Sequence, residues 1–160
     1  MNVQEIELAL TGWFGVQRYV MIPNLSYALL PYECDLAILT TSGYLYEIEI
    51  KVSKSDMIRD SKKHKWRNDY YNSSGNLIRK MWFAIPFYLE RDIEYIPDIA
   101  GILIVDNPER SRLFGEIREI RKPKINKLSH RLTAQQQFRF ARCGVFRMWN
   151  LKLLQLQKEK

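Results

Sequence analysis

Two short runs of residues joined by a turn constrain the fold more than any other part of the sequence. Cys34–Leu39 is apolar except for the carboxylate of Asp35, and Leu45–Val52 alternates between the two faces of an extended chain. The Thr-Ser-Gly sequence at 41–43 is typical of a turn. Because side chains in a strand alternate with a period of two, the runs predict two strands, and their short connection predicts an antiparallel hairpin.

The other predicted elements make an α/β fold with a mixed central sheet. Helices are expected at Val3–Phe14, from Ser53, which is suited to cap a helix, and from Thr133. The further strands are predicted at Val16–Ile22, Met81–Ile85, Ile99–Val105 and Phe114–Ile120. We expect the apolar face of the last helix to consist of Ala134, Phe138, Ala141, Val145 and Trp149. The length of 160 residues and the absence of a linker predict one domain, residues 1–160.

Basic residues are concentrated in two blocks. The formal net charge is +7; residues 51–80 hold nine Lys and Arg against three Asp, and residues 108–160 hold fourteen against four Glu. A solvated surface is one reading of such blocks, and a polyphosphate partner such as DNA is the other. The residues we predict to contact nucleic acid are Lys54, Arg59, Lys62, Lys63, Lys65, Arg67, Arg139 and Arg142.

Several classes of protein are disfavoured by composition. Two cysteines without a CxxC or Cys/His cluster argue against a structural zinc site and suit a reducing cytoplasm. No glycine-rich phosphate loop is present, which disfavours an NTPase. No apolar run reaches about 18 residues, so no membrane span is expected. The first residues lack the basic start of a signal peptide, which agrees with a cytoplasmic location.

One face of the predicted hairpin carries residues that could do chemistry. Glu47, Glu49 and Lys51 share this face, and pairing with the first strand can bring Asp35 close to Glu49. Such alternation is also what any half-exposed sheet shows. Asp35 favours a site, because a carboxylate in an otherwise apolar strand is costly unless a partner or metal holds it. Carboxylate oxygens suit Mg²⁺, and a lysine beside them can orient water or stabilise a phosphoryl transition state.

These residues carry a resemblance to a known family. The pattern begins with Asp35, continues through Glu47-Ile-Glu49-Ile-Lys51-Val-Ser53 and Asp56, Asp60 and Trp66, and ends with Trp82-Phe-Ala-Ile-Pro86, Ala100-Gly-Ile-Leu-Ile-Val105 and Arg139-Phe-Ala-Arg142. It resembles the PD-(D/E)xK nuclease superfamily, which has the restriction-endonuclease-like fold, and within it the MmcB-like DNA repair proteins. The likeness covers most of residues 3–150. It implies an α-β-α core with a mixed sheet flanked by helices.

The resemblance also implies roles for individual residues. Asp35 and Glu49 would bind Mg²⁺ or Mn²⁺, the carbonyl of Ile50 would add a ligand, and Lys51 would serve the water or the transition state. Superfamily members often add a glutamate from the first helix. Glu5 and Glu7 are both candidates for this ligand, and we assign it to Glu7. Many relatives are dimers, and the apolar surface of the last helix could support a homodimer.

The sequence therefore predicts a metal-dependent DNA phosphodiesterase, a nuclease of DNA repair or nucleic-acid processing. The alternative is a catalytically inactive nucleic-acid-binding module with a nuclease-like fold. A second rival is an interaction protein whose basic surface binds an acidic protein. Trp66, Tyr70 and Tyr71 could stack on bases, although packing against the sheet is as good an interpretation.

Overall fold

The computed structural model describes residues 1–26, 29–106 and 116–158. The α-helices are α1 (Val3–Phe14), α2 (Lys54–Ser61), α3 (Asn68–Tyr71) and α4 (Ala134–Lys158), and 3₁₀ turns lie at His64–Trp66 and Phe87–Tyr95. The strands are β1 (Val20–Ser26), β2 (Glu33–Leu39), β3 (Leu45–Ile50), β4 (Ile78–Pro86), β5 (Gly101–Val105) and β6 (Ile117–Arg121). None of the described helices has the length and apolar character needed to cross a membrane.

The six strands form one mixed sheet in the order β1-β2-β3-β4-β5-β6. The pairs β1–β2, β2–β3 and β5–β6 are antiparallel, whereas β3–β4 and β4–β5 are parallel. The parallel connections carry the chain across the sheet through α2, α3 and the 3₁₀ turns, as parallel pairs require a crossover. The predicted α/β class, with a mixed sheet flanked by helices, is confirmed.

The predicted hairpin is present as β2 and β3. Its register pairs Leu36 with Ile48 and Leu39 with Leu45. The turn is closed by a bond from the amide of Thr40 to the carbonyl of Tyr44, 2.9 Å long. Gly43 has a φ of 83°, in the left-handed region that glycine adopts without strain. The turn residues therefore set the register, and the register decides which side chains share a face.

Apolar side chains pack against both faces of the sheet. On one face, Ile6 and Leu10 of α1 contact a layer that includes Ile48. On the other, α2, the 3₁₀ turn and α4 contribute buried residues such as Met57, Trp66 and Phe140, and this layer includes Phe83. Burial of apolar area on both faces holds the helices to the sheet. The polar residues of β3 lie on the second face, under α2 and the 3₁₀ turn.

Each of the six predicted strands differs from the structure at one or both ends, and the first is displaced most. β1 begins at Val20 rather than at residue 16, and it continues through Pro23 and Asn24. Proline is tolerated here because β1 is an edge strand of the described sheet, in which β2 is its one neighbour, so one side of its backbone needs no partner. The last predicted strand corresponds to Ile117–Arg121, and Phe114, at its predicted start, lies outside the described residues.

The predicted inner face of the last helix is wrong. Phe138, Val145 and Trp149 are 69%, 50% and 54% exposed, whereas Phe140 is fully buried. Gly144 lies against Ile22 of β1, where an added Cβ would come within 3.3 Å of the isoleucine side chain. Apolar residues surround most of this helix, so periodicity alone could not identify the face that packs on the sheet. The predicted start is confirmed.

Candidate active site

Asp35, Glu49 and Lys51 converge on one face of the β2–β3 hairpin. The pairing of Leu36 with Ile48 puts Asp35 opposite Glu49. The Nζ atom of Lys51 donates to Asp35 Oδ2 over 3.0 Å and to Glu49 Oε2 over 2.7 Å. These two carboxylate oxygens are therefore at most 5.7 Å apart, the sum of the two bonds. The three residues named from the sequence pattern meet at one point.

Main-chain geometry holds Asp35 in this position. The described β2–β3 pairing extends only from Leu36 to Leu39 on the β2 side. At Ile50 the backbone amide donates instead to Asp35 Oδ2, at 2.8 Å. The carboxylate thus replaces a main-chain acceptor at the point where the strands separate. The predicted metal ligation by the carbonyl of Ile50 stays a prediction.

A second set of buried polar residues adjoins the first. Lys65 Nζ donates to Glu47 Oε1 at 2.9 Å and to Glu49 Oε1 at 2.5 Å. Tyr32 Oη donates to the other oxygen of Glu47 at 2.7 Å. The ammonium of Lys65 also lies 4.6 Å from the ring centroids of both Tyr32 and Trp66. Glu49 is therefore bonded through one oxygen to Lys51 and through the other to Lys65.

Burial and pairing shift the pKa values of these residues in opposite directions. Burial raises the pKa of Glu47 to about 7, despite the neighbouring Lys65. For Glu49 burial acts in the same direction, but Lys65 and Lys51 outweigh it and lower the pKa to about 2. Burial opposes the charge of Lys51, yet Glu49 and Asp35 raise its pKa. Lys51 is consequently an ammonium at neutral pH, suited to donate hydrogen bonds and stabilise negative charge.

Asp60 is a further buried carboxylate beside this cluster. Its Oδ1 atom lies 3.8 Å from Lys51 Nζ and also pairs with Lys63. Its Oδ2 atom is buried and has no hydrogen-bond partner among the described residues. An unsatisfied buried acceptor is costly, so a cation or water at this position would be stabilising.

The two candidate glutamates of α1 are clearly distinguished. Glu5 belongs to the capping box of α1, where it accepts a bond from the amide of Asn2 and donates its own amide to the Asn2 side chain. Glu7 is half-buried, and its pKa is raised by burial and by the charge of Asp35, against the effect of Arg147. The charge of Asp35 therefore acts on Glu7, whereas Glu5 is used in the helix cap.

Of the eight residues predicted to contact nucleic acid, seven are on or near the surface. Four of these form ion pairs within the protein: Lys54 with Asp92, Arg59 with Asp56, Lys63 with Asp60, and Arg67 with Asp69. Lys62, Arg139 and Arg142 are exposed. Lys65 requires a correction: its side chain is only 7% exposed and bonds to Glu47 and Glu49. Its charge is used inside the protein, because two buried carboxylates need a cation.

The aromatic residues Trp66, Tyr70 and Tyr71, which could stack on bases or pack against the sheet, have different environments. Trp66 and Tyr71 are buried; the first packs on Phe83 with ring centroids 5.0 Å apart, and the second donates its hydroxyl to the carbonyls of Arg79 and Lys124. Both serve packing. Tyr70 lines a surface pocket instead.

The donor set fits a divalent cation in its chemistry. Asp35 and Glu49 supply carboxylate oxygens, which Mg²⁺ and Mn²⁺ prefer, and the side chain of Asp35 is 32% exposed. The unsatisfied oxygen of Asp60 adds an acceptor next to Lys51. In the described part of the chain, however, no three His, Cys, Asp or Glu residues are grouped closely enough to hold an ion. An ion shared by Asp35 and Glu49 requires the ammonium of Lys51 to leave its bridging position.

Sequence reasoning missed part of this cluster. The alternation of β3 predicts that Glu47 shares a face with Glu49, so this member of the cluster can be found from sequence. Tyr32 and Lys65 come from segments without regular periodicity, and no spacing in the sequence connects them to β3. The buried cluster therefore could not be assembled before the fold was known.

A solved structure with a similar fold is that of the SPO1766 protein of unknown function from Silicibacter pomeroyi. The TM-score is 0.65 and the sequence identity 17%, over 95% of this chain and 92% of that one. No family description and no curated protein matches the sequence. At this identity the likeness concerns the fold, and it supports the mixed α/β architecture described above.

Proposed function

We propose that this protein is a metal-dependent phosphodiesterase that acts on DNA. The observation that carries the proposal is the convergence of Asp35, Glu49 and Lys51 on one face of the β2–β3 hairpin. The two carboxylates could hold a divalent ion beside a scissile phosphate, and the ammonium could stabilise the negative charge that develops on that phosphate. The exposed basic residues near α2 support DNA as the partner, since they can contact its backbone.

Each residue has a separate role in this proposal. Asp35 and Glu49 hold the ion, with Glu7 as a further carboxylate near Asp35 and the carbonyl of Ile50 as an additional ligand. A bound Mg²⁺ or Mn²⁺ would polarise the phosphate and lower the pKa of a bound water. Lys51, once released from its bridge, donates hydrogen bonds to the phosphate oxygens or to the attacking water. The cytoplasm is the proposed location, where Cys34 and Cys143 stay as thiols.

Cleavage assays test the proposal. Single-stranded, branched and duplex DNA are incubated with the wild type, with Glu49→Ala and with Lys51→Met, in Mg²⁺ and in Mn²⁺. We expect the wild type to cleave at least one substrate and each variant to lose more than about a hundredfold in rate, since several kcal/mol of transition-state stabilisation would be removed. A wild type that cleaves none of the substrates with either metal would refute the proposal.

Glu5 and Glu7 provide a matched pair on one helix. We expect Glu7→Gln to weaken metal-dependent cleavage, because the charge of Asp35 acts on Glu7, and Glu5→Gln to leave it unchanged, because Glu5 serves the capping box of α1. If the two substitutions have equal effects on cleavage, the proposed role of Glu7 at the site is refuted.

A second candidate function is nucleic-acid binding without turnover. It is favoured by one specific observation, the two lysine ammoniums that occupy both oxygens of Glu49. Tight DNA binding by a protein that binds neither Mn²⁺ nor Mg²⁺ would support it. The interaction with an acidic protein is a third candidate, and a steep loss of DNA affinity with rising salt would argue against it.

The exposed face of α4 supports a homodimer. Phe146, Trp149, Leu153 and Leu156 are 63%, 54%, 57% and 59% exposed. They follow one another at intervals of three, four and three residues, which is the spacing of the seam between two paired helices. Monomeric proteins rarely expose an apolar surface of this kind without a partner.

A further inference from the structure

A surface pocket lies next to the buried carboxylates. Its volume is about 440 Å³, and it is lined by Tyr32, Glu33, Lys63, His64, Lys65 and Tyr70. Two distant segments form it, the residues that precede and begin β2 and the stretch from Lys63 to Tyr70. The rings of His64 and Tyr70 meet edge to face, with centroids 5.2 Å apart. Three aromatic side chains therefore surround one small opening in a strongly basic segment.

The same side chains connect this pocket to the proposed catalytic residues. Tyr32 donates its hydroxyl to Glu47, and Lys65 bonds to Glu47 and Glu49 while its ammonium contacts the Tyr32 ring. Lys65 thus lines the pocket and is also bonded to Glu49. A molecule held in the pocket would be adjacent to the position where we propose that the phosphodiester bond is cleaved.

The lining indicates the chemistry of the ligand. Aromatic walls favour a flat ring that stacks on them, and a volume of about 440 Å³ is in the range of small-molecule sites. Glu33 is exposed and can accept a hydrogen bond from an amino group on the edge of a ring. Lys63 is half-exposed although it pairs with Asp60, and Lys62, its neighbour in sequence, is exposed, so Lys62 offers positive charge near the rim for a phosphate. A nucleobase with its attached phosphate combines these features.

We infer that this pocket binds one unpaired nucleobase of a DNA strand. A base within a duplex is stacked and paired, so its faces cannot reach the aromatic walls unless it is extruded, which costs a few kcal/mol. The pocket therefore favours single-stranded DNA or a branched DNA with an unpaired nucleotide. This conclusion about the substrate depends on the proposed function, whereas base binding itself does not require a metal or turnover.

Binding measurements without metal test the inference. Fluorescence anisotropy in EDTA would compare a labelled single strand, the same strand with an abasic stretch, and a duplex of equal length. The variants are His64→Ala, whose side chain is exposed, and Tyr70→Leu. Tyr88→Leu serves as the control, because it removes a partly exposed ring that does not line the pocket.

Loss of a stacking partner should weaken single-strand binding by about tenfold, because the base no longer stacks on an aromatic side chain. We expect this loss for His64→Ala and Tyr70→Leu, with unchanged duplex binding and unchanged thermal unfolding. The abasic strand should bind the wild type and the two variants equally. Equal losses for the single strand and the duplex, or unchanged single-strand affinity in both variants, would overturn the inference.

The outcome for the pocket can be distinguished from that for the nuclease. If the protein binds single strands through their bases but cleaves no substrate, the inference about the pocket is supported and the proposed function is refuted. If duplex and single-stranded DNA are cleaved at equal rates that Tyr70→Leu does not change, the proposed nuclease function is supported and the inference about the pocket is refuted.

Discussion

The replacement of Lys65 by methionine tests how the buried cluster is held together. Lys65 supplies a cation to Glu47 and Glu49, and its side chain is 7% exposed. Removal of one partner of a buried ion pair leaves an uncompensated charge and costs about 3–5 kcal/mol. Glu49 keeps its bond to Lys51 and Glu47 keeps its bond to Tyr32, so we expect a loss near the lower limit, about 3 kcal/mol.

The effect should depend on pH in a defined direction. The pKa of Glu47 is already raised to about 7 by burial, and it rises further when Lys65 is removed. When a carboxyl group has a raised pKa in the folded state, the protein loses stability as the pH rises from the pKa of the unfolded state to that of the folded state. Between pH 4.5 and pH 7 both proteins lose this stability equally, and above pH 7 the loss levels off in the wild type but continues in the variant. The deficit of Lys65→Met relative to the wild type should therefore be constant up to about pH 7 and grow above it.

Urea denaturation in EDTA at pH 5 and pH 8 measures this deficit, with Lys62→Met as the control. Lys62 is three residues earlier, has the same charge and is exposed, so its replacement should change stability by less than about 0.5 kcal/mol. The double variant Lys65→Met with Glu47→Gln should recover part of the loss. A Lys65→Met protein as stable as the wild type at pH 8 would refute the reasoning.

Three further predictions concern acid stability, packing and assembly. Because the pKa of Glu49 is lowered to about 2, its ionisation contributes about 3 kcal/mol of stability above pH 4.5, and this contribution is lost as pH falls towards 2. Unfolding of the wild type during acid titration should show this loss, and unfolding of Glu49→Gln should not. Gly101→Ala should cost about 1–3 kcal/mol in thermal or urea unfolding, since the new Cβ would overlap the Trp82 ring, whereas Gly75→Ala meets nothing within 4 Å and should cost little. The wild type should sediment as a dimer and Leu153→Glu as a monomer; identical sedimentation of the two proteins would exclude α4 as the interface.

The central hairpin could be predicted from sequence because its signals are local. The Thr-Ser-Gly turn, the alternation of β3 and the apolar run of β2 determine the strands, and their pairing brings Asp35 next to Glu49. The start of α2 is equally local: the side chain of Ser53 accepts the amide of Asp56. These features need no knowledge of the rest of the chain.

The errors arise where distant contacts decide. The inner face of α4 depends on the fit of Gly144 against Ile22, a contact that no periodicity reveals. Lys65 belongs to a basic run that is typical of a surface, yet its side chain is buried because it pairs with the buried carboxylate of Glu47. In both cases tertiary contacts overrode a local pattern that had two acceptable interpretations.

Calorimetric titration with Mn²⁺ tests the central claim most directly, because it measures whether Asp35 and Glu49 hold an ion independently of any substrate. The account predicts one saturable binding event in the wild type, and loss of the heat in Asp35→Asn and Glu49→Gln. It also predicts release of Lys51 from its bridge, so Lys51→Met should bind Mn²⁺ at least as tightly as the wild type. No heat in the wild type at millimolar Mn²⁺, or equal heat in Asp35→Asn, would contradict the account.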